Sequence, residues 1–430
     1  LVLISSLFPS DNMMANTSYS VTDFGAIPND SIDDSSAFNH ALSQLPDHAN
    51  LTIPSGEYTI CNTLFLTDKD NVSIFGSYGA ILKKCPEFNS EYLLYIKNTD
   101  YLKVSNLHFV GLFNGGQTAN WGKQGVYLAS TKNSVIANNR FEQFGDAALR
   151  ITTRPTRDAI ESRDALIINN HFSNCAQVTT TQAQATEGFS VPSTHNIIFA
   201  SNQFDNCTLK LSARKATQKA VVFNNHFKNI SSTALESSYY NDVTISHNQF
   251  DDNTGFAINV YPNSRAQHQV KWGDINITSN TFNNSDLGIR LQSFSSTEVA
   301  ENPIQNLSIT QNIFRKMSCV GTDNDKYKKL IRTYSQNATL SFENVLISEN
   351  RFDIDQGCDF LSLDTRDRNV LIEENISVST HEKKTKPYTL GLCLFVKKAE
   401  YMERFTAVRL CKFPIHTLYA LLIVYYITEV

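Results

Sequence analysis

Apolar and polar residues alternate in short runs along most of this chain. Val243 and Ile245 alternate with Thr244 and Ser246, Ile275 and Ile277 with Asn276 and Thr278, and Leu307 and Ile309 with Ser308 and Thr310. Val345 and Ile347 keep the same spacing. A period of two predicts short strands with one buried face. The parity breaks just before an Asn, and a Phe follows two residues later. This Asn-x-Phe tripeptide recurs eight times, at Asn139, Asn170, Asn202, Asn225, Asn248, Asn280, Asn312 and Asn350. An Asn at a bend is expected to take unusual backbone angles and to bond neighbouring backbone. Stacked Asn side chains can also bond one another as a ladder. The Phe is expected to point inward, where stacked rings fill a core.

The intervals between successive Phe residues are 31, 32, 23, 23, 32, 32 and 38. A second strand is predicted about eight residues after each Phe, as in Leu149-Arg150-Ile151, Leu235-Glu236-Ser237, Ile258-Asn259-Val260 and Ile289-Arg290-Leu291. The shortest unit, 23 residues, holds one solenoid turn of strands and bends but no helix pair. Units of this kind bury their apolar faces on their neighbours. The expected fold is all-β, a single-stranded right-handed parallel β-helix of roughly 11–12 coils with an N-terminal capping helix. Propeller blades need longer units, and a sandwich would not repeat one tripeptide in register. At about 4.8 Å per strand, such a rod is roughly 55–60 Å long.

The expected organisation has four parts. Residues 1–18 form an apolar leader, a signal remnant or a disordered segment, without a basic n-region. Residues 19–50 form the cap, where Ala37, Phe38, Ala41, Leu42 and Leu45 stand at helical spacing behind Asp34 or Ser35 as N-cap, with Pro46 ending the helix. Residues 51–380 form the β-helix. Residues 381–430 lose the repeat, and their apolar run Leu418 to Ile427 is too short to span a bilayer. Composition is ordinary for a soluble protein, with 41% hydrophobic residues, 18% charged residues and a net charge of −5. With no basic cluster, nucleic-acid binding is not expected. Cys175 and Cys207 each follow their Phe by three residues, so they should stack on consecutive coils. That spacing permits a disulfide, although a buried thiol ladder is the expected state. No cysteine spacing resembles a zinc site.

The run Val21-Thr-Asp-Phe-Gly-Ala26, the Asp33-Asp34 pair and Ile53-Pro-Ser-Gly-Glu-Tyr58 resemble the N-terminal cap of the pectate-lyase-like β-helix superfamily. That superfamily includes polysaccharide lyases, polygalacturonase-type hydrolases, alginate epimerases and phage tailspikes. The resemblance covers roughly residues 19–380. It implies a secreted or envelope protein with a polysaccharide partner and leaves the reaction open, because the cap is shared across these activities.

A β-helix interior is filled by side chains, so a ligand must bind outside, in a groove edged by the longer loops. Gly111–Gly125, Thr153–Asp164 and Thr181–Thr194 are one group of such loops; Tyr261–Asp274 and Ser293–Gln305 are a second. The 23-residue repeats between them would form the cleft floor. The middle residue of each second strand should face outward. In coil order these are Tyr95, Tyr127, Arg150, Lys210, Glu236, Asn259 and Arg290. Arg214 and Lys215 follow in the short repeat, Tyr239, Tyr240 and Tyr261 lie close by, and Trp121 and Trp272 sit in flanking loops. Aromatic faces suit sugar rings, and the planar fork of Arg suits carboxylates. The competing reading is that surface strands carry polar residues in any case.

β-Elimination on a uronate polymer needs the sugar carboxylate neutralised and its α-proton taken by a base. Lys210, Arg214, Glu236, Tyr239 and Tyr261 are the catalytic candidates. Tyr127, Arg150, Asn259, Arg290, Trp121 and Trp272 are the substrate-binding candidates. Glu236 would orient the base or bind calcium, the one cofactor these residues suggest. C5-epimerisation uses the same proton abstraction. Hydrolysis needs two carboxyl groups; only Glu236 lies in the column, with Asp146 on the turn before Arg150. The polygalacturonase and alginate-epimerase motifs are absent from the coils. Leu211-Ser-Ala-Arg-Lys215 is loosely similar to the Ser-x-Lys strand of calcium-dependent lyases, but Glu236 stands where that family has Arg. His171, His226 and His247 are expected to be structural, with His268 a loop acid or base candidate. The expected function is a lyase or C5-epimerase for an acidic polysaccharide. The alternatives are a hydrolase or tailspike-like depolymerase, or a non-catalytic glycan-binding adhesin.

Overall fold

The structure, a computed structural model, describes residues 17–114, 123–153, 160–180, 194–261, 273–293, 304–319, 329–334, 341–354 and 358–379, with the short pairs 388–389 and 413–414. Side chains of residues 212–218, 239–240, 354, 379, 388–389 and 413–414 lie outside that description. The chain is a right-handed parallel β-helix. Strands pair in parallel from Thr17–Ser20, which lies beside Ala49–Ile53, to Ile376–Ser379, which lies beside Arg351–Ile354. At the far end Tyr388–Thr389 runs antiparallel to Ile376–Ser379.

Two ladders hold the coils in register. Each ladder Asn donates its backbone N–H and its Nδ2 to Oδ1 of the Asn on the next coil, as Asn225 does to Asn248 at 2.9 and 3.0 Å. Each Nδ2 also reaches a strand carbonyl, as Asn248 does to Val222 at 2.8 Å. Asn375 extends the ladder beyond the tripeptides, accepting from Asn350 N–H at 3.0 Å. The left-handed residue of the bend is not the ladder Asn. It is the residue before it, including Asn138, Ser201, His247 and Glu349, with φ of 55–57°. The ladder Asn instead spends its amide on the buried bonds. The second ladder is aromatic. Phe109, without an Asn before it, starts a stack that runs through every repeat Phe to Phe352, with centroids 4.5–5.1 Å apart.

Helix α1 (Ser35–Gln44) buries Phe38, Ala41 and Leu42 against the first coil, with the Phe38 ring edge-on to Tyr58 at 5.3 Å. The Asp33-Asp34 pair stitches the cap to the coils. Asp34 accepts from Ile27 and Thr59 N–H at 2.9 and 3.2 Å, and Asp33 accepts from Ser35 and Cys61 N–H at 2.9 and 3.1 Å. Gly25 takes φ 97° to end the turn Val21–Phe24, and Gly56 takes φ 132° where a Cβ would sit 2.5 Å from Pro28 Cβ. Both cap glycines therefore answer backbone demands.

The thiol ladder expected at Cys175 and Cys207 is replaced by a disulfide, with Cα atoms 4.8 Å apart. Cys61–Cys85 and Cys319–Cys358 are joined likewise, at Cα separations of 5.1 and 5.6 Å. Stacked coils bring such pairs within bridging distance. Among the described residues no helix is long and apolar enough to cross a membrane.

Candidate functional site

Pairing register fixes the outward column. Phe65, Tyr95, Tyr127, Arg150, Thr179, Lys210, Glu236, Asn259, Arg290, Arg332 and Ser362 are partners from coil to coil. Thr179 stands between Arg150 and Lys210, so those two are not on adjacent coils. Arg332 extends the column and was missed because it sits in the longest repeat.

The N-terminal part of the column is not an open floor. Tyr127 is 1% exposed, stacked on Tyr95 at 5.4 Å and tilted against Tyr92 at 4.6 Å. Burial, despite the Arg150 charge, pushes its hydroxyl well above the usual phenol range. Arg150 is also buried. Its Nε donates to Gln124 Oε1 at 2.7 Å, and its Nη2 lies 3.3 Å from Asp146, which also accepts from Gln177 at 2.8 Å. Arg150 therefore braces three coils from within the wall. Asp146 is bound into that network.

The chemistry converges where the repeats are shortest. Lys210 Nζ lies 2.9 Å from Glu236 Oε2, and the Tyr261 hydroxyl donates to the same oxygen at 3.0 Å. Burial alone would lower the Lys210 pKa, but the Glu236 carboxylate and Tyr261 outweigh it and hold the ammonium above its ordinary range. Burial and then the Glu236 charge raise the Tyr261 hydroxyl, with Lys210 partly offsetting them. At neutral pH the cluster is thus an ammonium and a phenol sharing one carboxylate oxygen. Lys210 and Glu236 keep 31% and 20% of their side-chain surface open, so a ligand can reach both.

Further along, Asn259 is buried and its Oδ1 accepts from Arg290 Nε at 2.9 Å. The Arg290 guanidinium lies over the Phe256 ring at 4.2 Å, and that of Arg332 over Tyr334 at 4.5 Å. Contact with an aromatic face helps orient a guanidinium. The backbone of Arg214 lies in the strand Thr208–Phe223, where the register with Leu235–Ser246 shifts between Ser212 and Thr217. Its side chain and that of Tyr239 lie outside the description, and Trp121, Trp272 and His268 lie outside the described residues. His226 pairs with Asp251 at 2.9 Å on another sheet, as a structural histidine would. The one cluster of potential metal ligands among the described residues, Cys61, Cys85 and Glu87, contains two disulfide-bonded cysteines and offers no ion site.

Residues 18–259 match the family model described as rhamnogalacturonase A/epimerase, pectate lyase-like. No curated protein matches the chain by sequence. The surface adhesin PfbA of Streptococcus pneumoniae is similar in fold, with a TM-score of 0.60 at 13% identity over 87% of this chain and 96% of that one. The A-module of the mannuronan C-5 epimerase AlgE4 of Azotobacter vinelandii gives 0.52 at 14% identity, over 84% and 100%. A tailspike, gp49 of the Acinetobacter baumannii bacteriophage Fri1, a capsular polysaccharide depolymerase, gives 0.52 at 12% identity, over 83% and 64%. At these identities the likeness is one of fold.

Proposed function

The chain belongs to the rhamnogalacturonase A/epimerase, pectate lyase-like family, and from that footing we propose that it acts on an acidic polysaccharide by abstracting the proton next to a uronate carboxylate. The observation that carries this reading is the single Glu236 oxygen shared by Lys210 and Tyr261. The Lys210 ammonium turns to the sugar carboxylate and neutralises it, which acidifies the α-proton. Tyr261 takes that proton on its oxygen as it passes its own to Glu236 along the hydrogen bond already in place. Passing the proton to the O4 leaving oxygen as its bond to C4 breaks completes elimination; delivery of a solvent proton to the opposite face of C5 completes C5-epimerisation. Arg290, braced by Asn259 and Phe256, holds a further carboxylate along the polymer. Arg214 and Tyr239 are proposed as further contributors, and a calcium ion could assist neutralisation at Glu236.

Hydrolysis is less well supported. Arg150, which binds Asp146, stands three register steps from Glu236 along the column. At about 4.8 Å a step, that exceeds the roughly 6.5–9.5 Å that paired glycosidase carboxyls require. Three disulfides favour an oxidising compartment, so we place the protein outside the cell or in the envelope.

Incubation with pectate, alginate, rhamnogalacturonan and chondroitin tests the reading. Elimination appears as ultraviolet absorbance of unsaturated uronates, and epimerisation as deuterium entering C5 from heavy water. A glycan that binds without either signal would make this a non-catalytic binding surface.

A further inference from the structure

Lys84 ends the strand Ala80–Lys84, and its parity with Ala80 and Leu82 turns it inward. It is 2% exposed. Its Nζ donates to the Gln124 carbonyl at 2.8 Å, lies over the Phe88 ring at 4.3 Å, and stands 5.5 Å from the Phe144 ring centroid. Among the described residues no carboxylate pairs with it. Its charged neighbour is a like one, Lys123. Lys123 is held in place by Asn89 O, Asn89 Oδ1 and Ser90 O at 2.6, 3.3 and 3.2 Å. Two acids of the surrounding network are turned to other partners. Glu91 accepts from Gln124 Nε2 at 3.4 Å, and Asp146 pairs with Arg150. Lys84 and Lys123 together line a cavity of about 10 Å³, walled by Phe88, Leu112, Gln143, Phe144 and Gly145.

A buried ammonium without a counter-charge is costly, and a second ammonium nearby adds to the cost. Two outcomes relieve it: the amine gives up its proton, or the cavity takes an anion. An ammonium has three donors, and the Gln124 carbonyl uses one of them. The cavity has room for about one water-sized particle, which excludes carboxylates and phosphates. Two ammonium groups lining one small cavity suit a compact, weakly hydrated anion.

We propose that the cavity between Lys84 and Lys123 is a site for a single halide ion, chloride in the protein's natural setting. The site lies apart from the Lys210–Glu236–Tyr261 cluster. Gln124, whose carbonyl receives Lys84, also receives Arg150 through its side chain. The ion therefore braces the coils that carry the closed part of the column, and it does not depend on which reaction the groove performs.

The test uses the full chain at pH 6, where Lys84 is protonated. Thermal unfolding in sodium chloride is compared with sodium gluconate at equal ionic strength. The expected result is a saturable rise of about 2 °C in the midpoint with chloride and none with gluconate. Crystals grown in sodium bromide should show an anomalous peak between the two Nζ atoms. Lys84→Met should remove the halide-specific shift, and Lys123→Met should weaken it. An empty bromide map overturns the proposal even if neither variant folds. A chloride shift of the same size in Lys84→Met also overturns it.

Discussion

Lys210 and Tyr261 meet on one atom: the ammonium stands 2.9 Å from Glu236 Oε2, and the phenol donates to that oxygen at 3.0 Å. Lys210 and Tyr261 lie two coils apart, on either side of the coil that carries Glu236. Stacking of the coils brings residues 51 positions apart in sequence into one hydrogen-bond network. In the proposed reaction Glu236 is the proton sink, so Glu236→Gln should lower turnover by about 10²–10⁴-fold with the fold retained. Tyr261→Phe should lower it comparably, whereas Arg290→Ala should act mainly on KM. Steady-state kinetics on the responsive polymer separates these outcomes.

The pH profile should report the same cluster. Both Lys210 and Tyr261 are shifted upward, so both stay protonated through neutral and mildly alkaline pH. Activity that needs the Lys210 charge should persist through the ordinary lysine range and fall only above it. For stability the sign is the same. A folded-state pKa raised above the unfolded value adds stability that is complete below the unfolded pKa. That stability is lost as pH rises through the folded pKa. Lys210→Arg should move the alkaline limb of activity further up, whereas Lys210→Met should abolish it along with turnover.

The Asn ladder predicts a stability effect with a positional signature. Asn248→Ala removes the acceptor of Asn225 N–H and Nδ2, and two donors from buried acceptors at Asn280 and Val222. Leaving such groups unpaired costs about 1–3 kcal/mol each, so denaturant unfolding should show a loss of at least about 3 kcal/mol. Asn375→Ala, at the ladder's end, should cost less.

The Cys175–Cys207 bridge closes a separation of 32 residues. A loop of that length contributes about 3–4 kcal/mol in the chain-entropy account. A Cys175→Ser and Cys207→Ser double variant should unfold at lower denaturant concentration than the wild type. The difference should vanish when both proteins are fully reduced.

The ladders were legible in the sequence because each coil repeats one local problem: a bend, a buried amide and an inward ring. Register follows from that, and it placed Lys210 and Glu236 on one face without any coordinates. What escaped was non-local. Tyr127 and Arg150 share the outward parity of Lys210, yet neighbouring side chains such as Tyr92 and Gln124 close over them. Thr179 was passed over because its coil offers no charge to notice, and Arg332 because a long insertion separates it from its Phe. The disulfides needed Cα distances that spacing alone only bounds. Asn375 was visible in principle, since Val370 and Ile372 repeat the strand pattern before it, but Ser377 replaces the Phe that marks the eight tripeptides.

Lys84 carries the last prediction, and its sign is opposite to that of Lys210. Burial first and the Lys123 charge second depress its pKa from 10.5 to about 7. Between those values the unfolded chain holds a proton that the folded chain lacks, so stability rises with pH across that window. Below about 7 the folded state must carry the buried charge, and the penalty is complete. Without halide, Lys84→Met should therefore stabilise the protein most at pH 5–6 and progressively less towards pH 10. Denaturant midpoints measured across that range in gluconate check it. A constant difference at all pH values would mean that Lys84 enters the fold through packing of its stem alone.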